Sequence, residues 1–101
     1  MLKKHYSKTG RYCRVTFKLP ADVDAETAAV CGDFNDWDPG STPMKRLKDH
    51  SFSVTLSLPT GRDYCFRYLL DGERWENDWD ADGYRQNAFG TEDSVAALSS
   101  G

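Results

Sequence analysis

At 101 residues the chain has room for one hydrophobic core, and a composition of 39% hydrophobic and 29% charged residues separates it from disordered and fibrous sequences. Its formal net charge of −3 argues against a nucleic-acid partner, which would ask for a basic face. The longest apolar runs cover a few residues, far short of the roughly 20 that cross a bilayer, so no membrane partner is expected.

Residues 1–10 are polar and basic and are expected to form a flexible lead-in, with Lys3, Lys4, Lys8 and Arg11 solvated rather than gathered into a nucleic-acid arm. Met1-Leu2-Lys3-Lys4-His5 carries the charges of a secretory n-region with no apolar run behind them, so a cytoplasmic location is expected. The cysteines fit that compartment. Cys13, Cys31 and Cys65 cannot all pair and form no Cys-x-x-Cys, which suits reduced thiols packed as small apolar residues.

From Tyr12 to Leu19 apolar Cys13, Val15, Phe17 and Leu19 alternate with Arg14, Thr16 and Lys18, the period of a half-buried strand. Pro20 stops it, an acidic connection follows to Thr27, and Ala28 to Gly32 returns as a strand. It leads into Gly32-Asp33-Phe34-Asn35-Asp36-Trp37-Asp38-Pro39, rich in residues whose side chains cap turns. Phe34, nearer the strand, is expected to anchor this turn in the core. Trp37, flanked by Asp36, Asp38 and Pro39, is expected to stand exposed as a flat platform.

Met44 to Leu47 suits a short edge strand, Phe52 to Leu58 alternates cleanly, and Tyr64, Phe66, Tyr68 and Leu70 form the core side of another strand whose outward side carries Cys65, Arg67 and Leu69. Asp71-Gly72 signals a hairpin returning through Glu73 to Glu76. Two registers are open: a two-residue turn pairs Trp75 with Tyr68 and turns it into the core, whereas a loop including Glu73 pairs it with Leu69, on the face of Arg67. Asn77 to Thr91 is polar and irregular, Ser94 to Leu98 closes as a strand, and residues 99–101 suit a frayed tail. About seven short strands joined by Gly, Pro and Asp turns, with no helical period, predict an all-β, antiparallel sandwich over residues 11–98.

Asp78, Asp80 and Asp82 alternate ahead of Gly83 as in the first half of a calcium loop, but the bidentate Glu is missing: Phe89 holds that position, so a solvated acidic loop is the plainer reading. His5 and His50 have no Cys or His at ligand spacing, and neither a Gly-x-Ser-x-Gly nor a phosphate-cradling loop is present. No cofactor is implied. A glycosidase would need two carboxylates across a cleft, which a small sandwich does not offer, so no catalysis is expected.

Four blocks occur in an order that resembles the family 48 carbohydrate-binding modules: Gly32 to Trp37, Pro43-Met44, Tyr64 to Trp75, and Asn87 to Val95. These are immunoglobulin-like, early-set domains that precede the barrels of isoamylases and branching enzymes and form the glycogen-binding domain of the AMP-activated protein kinase β subunit. The resemblance spans about Tyr12 to Leu98 and implies a site for an α-1,4-glucan such as glycogen on one sheet face, at Trp37, Arg67, Trp75, Phe89, Thr91 and Asp93. Three features depart from the pattern of the kinase-type members. Arg67 replaces a Lys, one extra residue precedes Trp75, and Asp93 replaces an Asn, losing a donor and keeping an acceptor. The alternative expectation is a regulatory module of the same fold that binds a protein partner through an edge strand or this aromatic face.

Overall fold

Two sheets form because alternation gives each long strand one apolar side, and those sides need each other. The computed structural model describes residues 2–99; Met1 at the expected lead-in and Ser100 and Gly101 in the expected tail lie outside the described residues. Its strands are β1 (Leu2–Tyr6), β2 (Tyr12–Leu19), β3 (Ala28–Gly32), β4 (Lys45–Arg46), β5 (Phe52–Pro59), β6 (Asp63–Leu70), β7 (Arg74–Glu76), β8 (Gly83–Gln86) and β9 (Glu92–Ala97), with one short 3-10 turn at Ala21–Val23. One sheet runs β1-β2-β5-β4 and the other β3-β6-β9-β8, all neighbours antiparallel. This is the expected sandwich, with nine strands among the described residues where seven were expected.

The two additional strands are β1 and β8. Residues 2–6 are not a loose lead-in: Leu2 to Tyr6 pairs with β2 in the register Leu2↔Phe17 to Tyr6↔Cys13, through a turn closed by Gly10 N–H to Ser7 C=O at 3.0 Å. Leu2 adds apolar cover beside Phe17, and Lys4 reaches the other sheet, where its Nζ lies 2.6 Å from Asp82 Oδ2. Lys4 is therefore paired rather than solvated. Strand β8 has no buried side chain, so no apolar alternation marked it in the sequence.

Phe17, Phe52, Phe66, Tyr68 and Leu70 are buried between the layers. Phe17 of one sheet meets Phe66 of the other edge to face at 5.0 Å between ring centroids, an arrangement that adds about 0.5–1.5 kcal/mol beyond the area it buries. Tyr64 turns its hydroxyl back to Pro59 C=O at 2.7 Å and holds the β5–β6 corner. Tyr68 donates to Asp78 Oδ2 at 2.6 Å, and burial pushes its phenol pKa far above the usual value, so it stays a donor.

Strand β6 organises the second sheet. One edge pairs with β3; the other pairs first with β9 through Phe66↔Ser94 and then with β7 from Tyr68↔Glu76. Arg67 sits where the two partners meet. Its side chain is on the outer face, because Phe66 and Tyr68 on either side are buried in the core.

Candidate functional site

The turn after β3 is built by its own side chains. Asn35 accepts from Gly32 N–H with Oδ1 at 3.0 Å, and its Nδ2 donates to Val30 C=O and Thr42 Oγ1, each at 3.0 Å. Phe34 anchors the turn, its ring 5.5 Å from that of Phe17. Gly32 is required by contact: a Cβ there would stand 2.5 Å from Cys65 O and 2.9 Å from Phe66 Cβ. Asp36 and Trp37 then take left-handed conformations, φ 55° and 59°, sparsely populated for a bulky side chain. They deliver the indole onto the outer face of the second sheet.

Trp37 is half-buried rather than fully exposed as expected. Its Nε1–H donates to Asp33 Oδ1 at 3.2 Å, while Asp33 Oδ2 accepts from Cys65 N–H at 2.8 Å. One carboxylate thus ties the indole to β6. With its N–H engaged, Trp37 offers a ring rather than a donor.

The hairpin register resolves to the longer loop. Trp75 pairs with Leu69 and Arg74 with Leu70, leaving Asp71, Gly72 and Glu73 as the turn. Asp71 and Gly72 have φ 54° and 72°, and Asp71 Oδ1 is held by Glu26 N–H at 2.8 Å and Thr27 N–H at 3.0 Å. Those backbone donors, Thr27 first and Glu26 second, keep the Asp71 carboxyl below the usual aspartate range. This puts Trp75, 45% exposed, on the face carrying Arg67.

Arg67 spans the sheet. Its Nε donates to Asp93 Oδ1 at 2.8 Å and its Nη2 to Thr91 Oγ1 at 2.7 Å. Asn87 completes the frame: Nδ2 donates to Thr91 Oγ1 at 2.9 Å and Asp93 Oδ1 at 3.0 Å, and Oδ1 accepts from Phe89 N–H at 2.9 Å. The loop after β8 is thereby fixed with Phe89 held out, 91% exposed.

These elements enclose an open groove of about 560 Å³ lined by Trp37, Arg67, Trp75, Phe89 and Asp93. Thr91 stands beside the lining, under Arg67. Four further lining residues, Asp33, Cys65, Arg85 and Asn87, were not among the expected site positions. Asp33, Cys65 and Asn87 lie inside the family-like blocks, so their place was a usable signal; Arg85 lies outside them, and pairing of β3, β6, β8 and β9 is what brings the four together. Cys65 floors the groove, its thiol pKa raised by burial and secondarily by Asp33. Two carboxylates, Asp33 and Asp93, and two guanidiniums, Arg67 and Arg85, leave the lining without net charge, which suits a neutral ligand rich in hydroxyls.

The acidic loop is used differently. Asp78 is buried beneath Tyr68 and Tyr84, and its Oδ1 accepts from Asp80 N–H at 2.8 Å, while Asp82 Oδ2 turns to Lys4 and to Ala97 N–H. Among the described residues no group of three or more His, Cys, Asp or Glu side chains is placed to hold a metal ion. Asp78, Asp80 and Asp82 do not converge. No helix among the described residues is long and apolar enough to cross a membrane.

The model of the family described as the glycogen recognition site of AMP-activated protein kinase matches residues 14–92. The chain belongs to this family. The glycogen-recognition family is one of carbohydrate-binding modules, so carbohydrate recognition is the activity the chain shares with it. The matched span begins in β2 and ends at the first residue of β9, and so takes in both indoles of the groove, Arg67, Phe89 and Thr91, with Asp93 one residue beyond. A search of curated protein sequences found no match.

Proposed function

We propose that the protein is a non-catalytic α-glucan-binding domain whose groove holds a linear stretch of glucose units against Trp37 and Trp75. The observation that carries this reading is the convergence of both indoles with Arg67 and Asp93 in one open groove whose lining has no net charge. A glucose ring has an apolar C–H face that stacks on an indole; the comparable stacking of a base is worth about 1–3 kcal/mol. Arg67 and Asp93 supply the polar half. With Nε and Nη2 committed, Arg67 keeps Nη1 as a donor, and Asp93, whose Oδ1 accepts from both Arg67 and Asn87, keeps Oδ2 as an acceptor. A donor and an acceptor lining one groove fit sugar hydroxyls, which can accept from the one and donate to the other.

Two stacking platforms give weak affinity for a single chain, and many chain ends on one glycogen particle raise the avidity. The two carboxylates of the lining are engaged, Asp33 with the Trp37 indole and the Cys65 N–H and Asp93 with Arg67 and Asn87, and the family is one of carbohydrate-binding modules, which supports binding without turnover. Retardation in native gels containing glycogen tests the reading. Wild-type protein is expected to be retarded and Trp75→Ala to run almost as it does without glycogen; equal retardation of the two would overturn the assignment.

A further inference from the structure

Trp79 does not line the groove, yet its indole is 63% exposed. It borders a separate hollow of about 170 Å³ on the other side of β7, lined also by Leu19 and Val23. Strand geometry separates the two places: Trp75 faces outward with Leu69, while its neighbour Glu76, opposite core-facing Tyr68, faces the hollow. Arg74 pins the 3-10 turn to this strand, its Nη2 donating to Val23 C=O at 2.7 Å and Asp24 C=O at 3.2 Å, which fixes the rim. Asp22 and Glu76 also stand on that rim, and neither carboxylate has a hydrogen-bond or ion-pair partner among the described residues.

We infer that this hollow is a second carbohydrate-contacting site, taking a terminal ring of a neutral α-glucan against Trp79 with Asp22 and Glu76 accepting hydrogen bonds from its hydroxyls. The inference rests on the reading of the main groove as a glucan site. Three features choose the ligand. An indole face bounded by free carboxylate acceptors matches a sugar's apolar face and hydroxyl rim. Two carboxylates against the single guanidinium of Arg74 leave the rim net negative, which disfavours anionic ligands. A volume of about 170 Å³ is well under the roughly 300–1,000 Å³ of ordinary small-molecule pockets, so one ring fits and a chain does not. With one site on each side of β7, separate branches of a glucan particle can engage one protein, and the second contact adds through effective concentration.

The three tryptophans give three indole N–H signals in a 1H–15N spectrum, assigned by the signal missing from each Trp→Ala variant. Maltoheptaose titrated into wild-type protein should shift the Trp79 signal as well as those of Trp37 and Trp75. In Trp75→Ala the Trp79 shift should persist, and Trp79→Ala should bind glycogen several-fold more weakly while its Trp37 and Trp75 signals still respond. A Trp79 signal that stays still while the other two move overturns the second site and leaves the groove standing, as does a Trp79 shift that vanishes in Trp75→Ala. Movement of Trp79 alone supports the second site and overturns the groove; no movement at all overturns both.

Discussion

Arg67 and Asp93 meet on the outer face of the second sheet with Nε 2.8 Å from Oδ1, although they are 26 residues apart in sequence. The resemblance places a Lys and an Asn at these positions in kinase-type relatives, so two departures from the pattern form one contact here. The pair is largely covered, with side chains 20% and 14% exposed. Its geometry uses what Arg has and Lys lacks, a planar fork that reaches Asp93 and Thr91 together.

The two departures should therefore be coupled. Arg67→Lys loses one of two hydrogen bonds, and Asp93→Asn removes the charge opposite the guanidinium. Each alone should weaken glycogen binding and stability, while the double variant should recover part of the loss, with a coupling of about 0.5–3 kcal/mol. Urea denaturation and glycogen affinity of the four proteins measure it, and strict additivity would contradict it.

Trp37 and Trp75 should separate binding from stability. Trp75 is exposed in an edge strand, so Trp75→Ala should change stability by no more than about 0.5 kcal/mol while lowering glycan affinity roughly 5- to 150-fold. Trp37→Ala should lower both, because Trp37 is half-buried and bonded to Asp33. Its φ of 59° adds a second test: Trp37→Gly should be more stable than Trp37→Ala by about 1 kcal/mol, since the left-handed conformation costs an L side chain about 1–2 kcal/mol. Thermal melts and fluorescence titrations read both quantities.

Gly32→Ala should be among the most damaging small substitutions in the chain. The added methyl would meet Cys65 O at 2.5 Å and Phe34 Cε2 at 2.8 Å, and backbone cannot step aside as a flexible side chain can. A loss of about 1–3 kcal/mol or more is expected, measured by urea denaturation. Glycogen binding should fall with it, since the same glycine sets where β3 turns toward Trp37.

Acid should loosen the hairpin that carries Trp75. The Asp71 pKa is depressed in the folded protein, so its stabilising contribution is present above the unfolded value of about 3.9 and is lost as pH falls through the lower folded value. Asp71→Asn keeps an acceptor for the Glu26 and Thr27 N–H groups but does not titrate. Its melting temperature should fall less steeply than that of wild type below about pH 4. A residual slope is expected from Asp49 and Asp63, which are likewise held low, by Ser51 and Ser99 respectively.

The sandwich was legible in the sequence because alternation is a local property. Cys13 to Leu19 and Phe52 to Leu58 declare their buried sides residue by residue, and the Gly32 to Trp37 turn declares itself through its capping side chains. Strands β1 and β8 escaped because they lie at sheet edges, where neither face must be apolar. No window of sequence holds the information that Lys4 will find Asp82 or that Asp33 will hold Trp37 to β6.

By itself, then, the sequence determined the two layers, the turn that presents Trp37, and the residue types available to a sugar. Tertiary structure alone decided which of them meet: the register that turned Trp75 outward, the shared edge of β6 that seats Arg67 opposite Asp93, and the placing of Trp79 on the far side of β7. The physical reason is that side-chain alternation is fixed by strand geometry within a few residues. Register and neighbours are fixed by hydrogen bonds between segments distant in the chain, whose choice depends on the whole core closing at once.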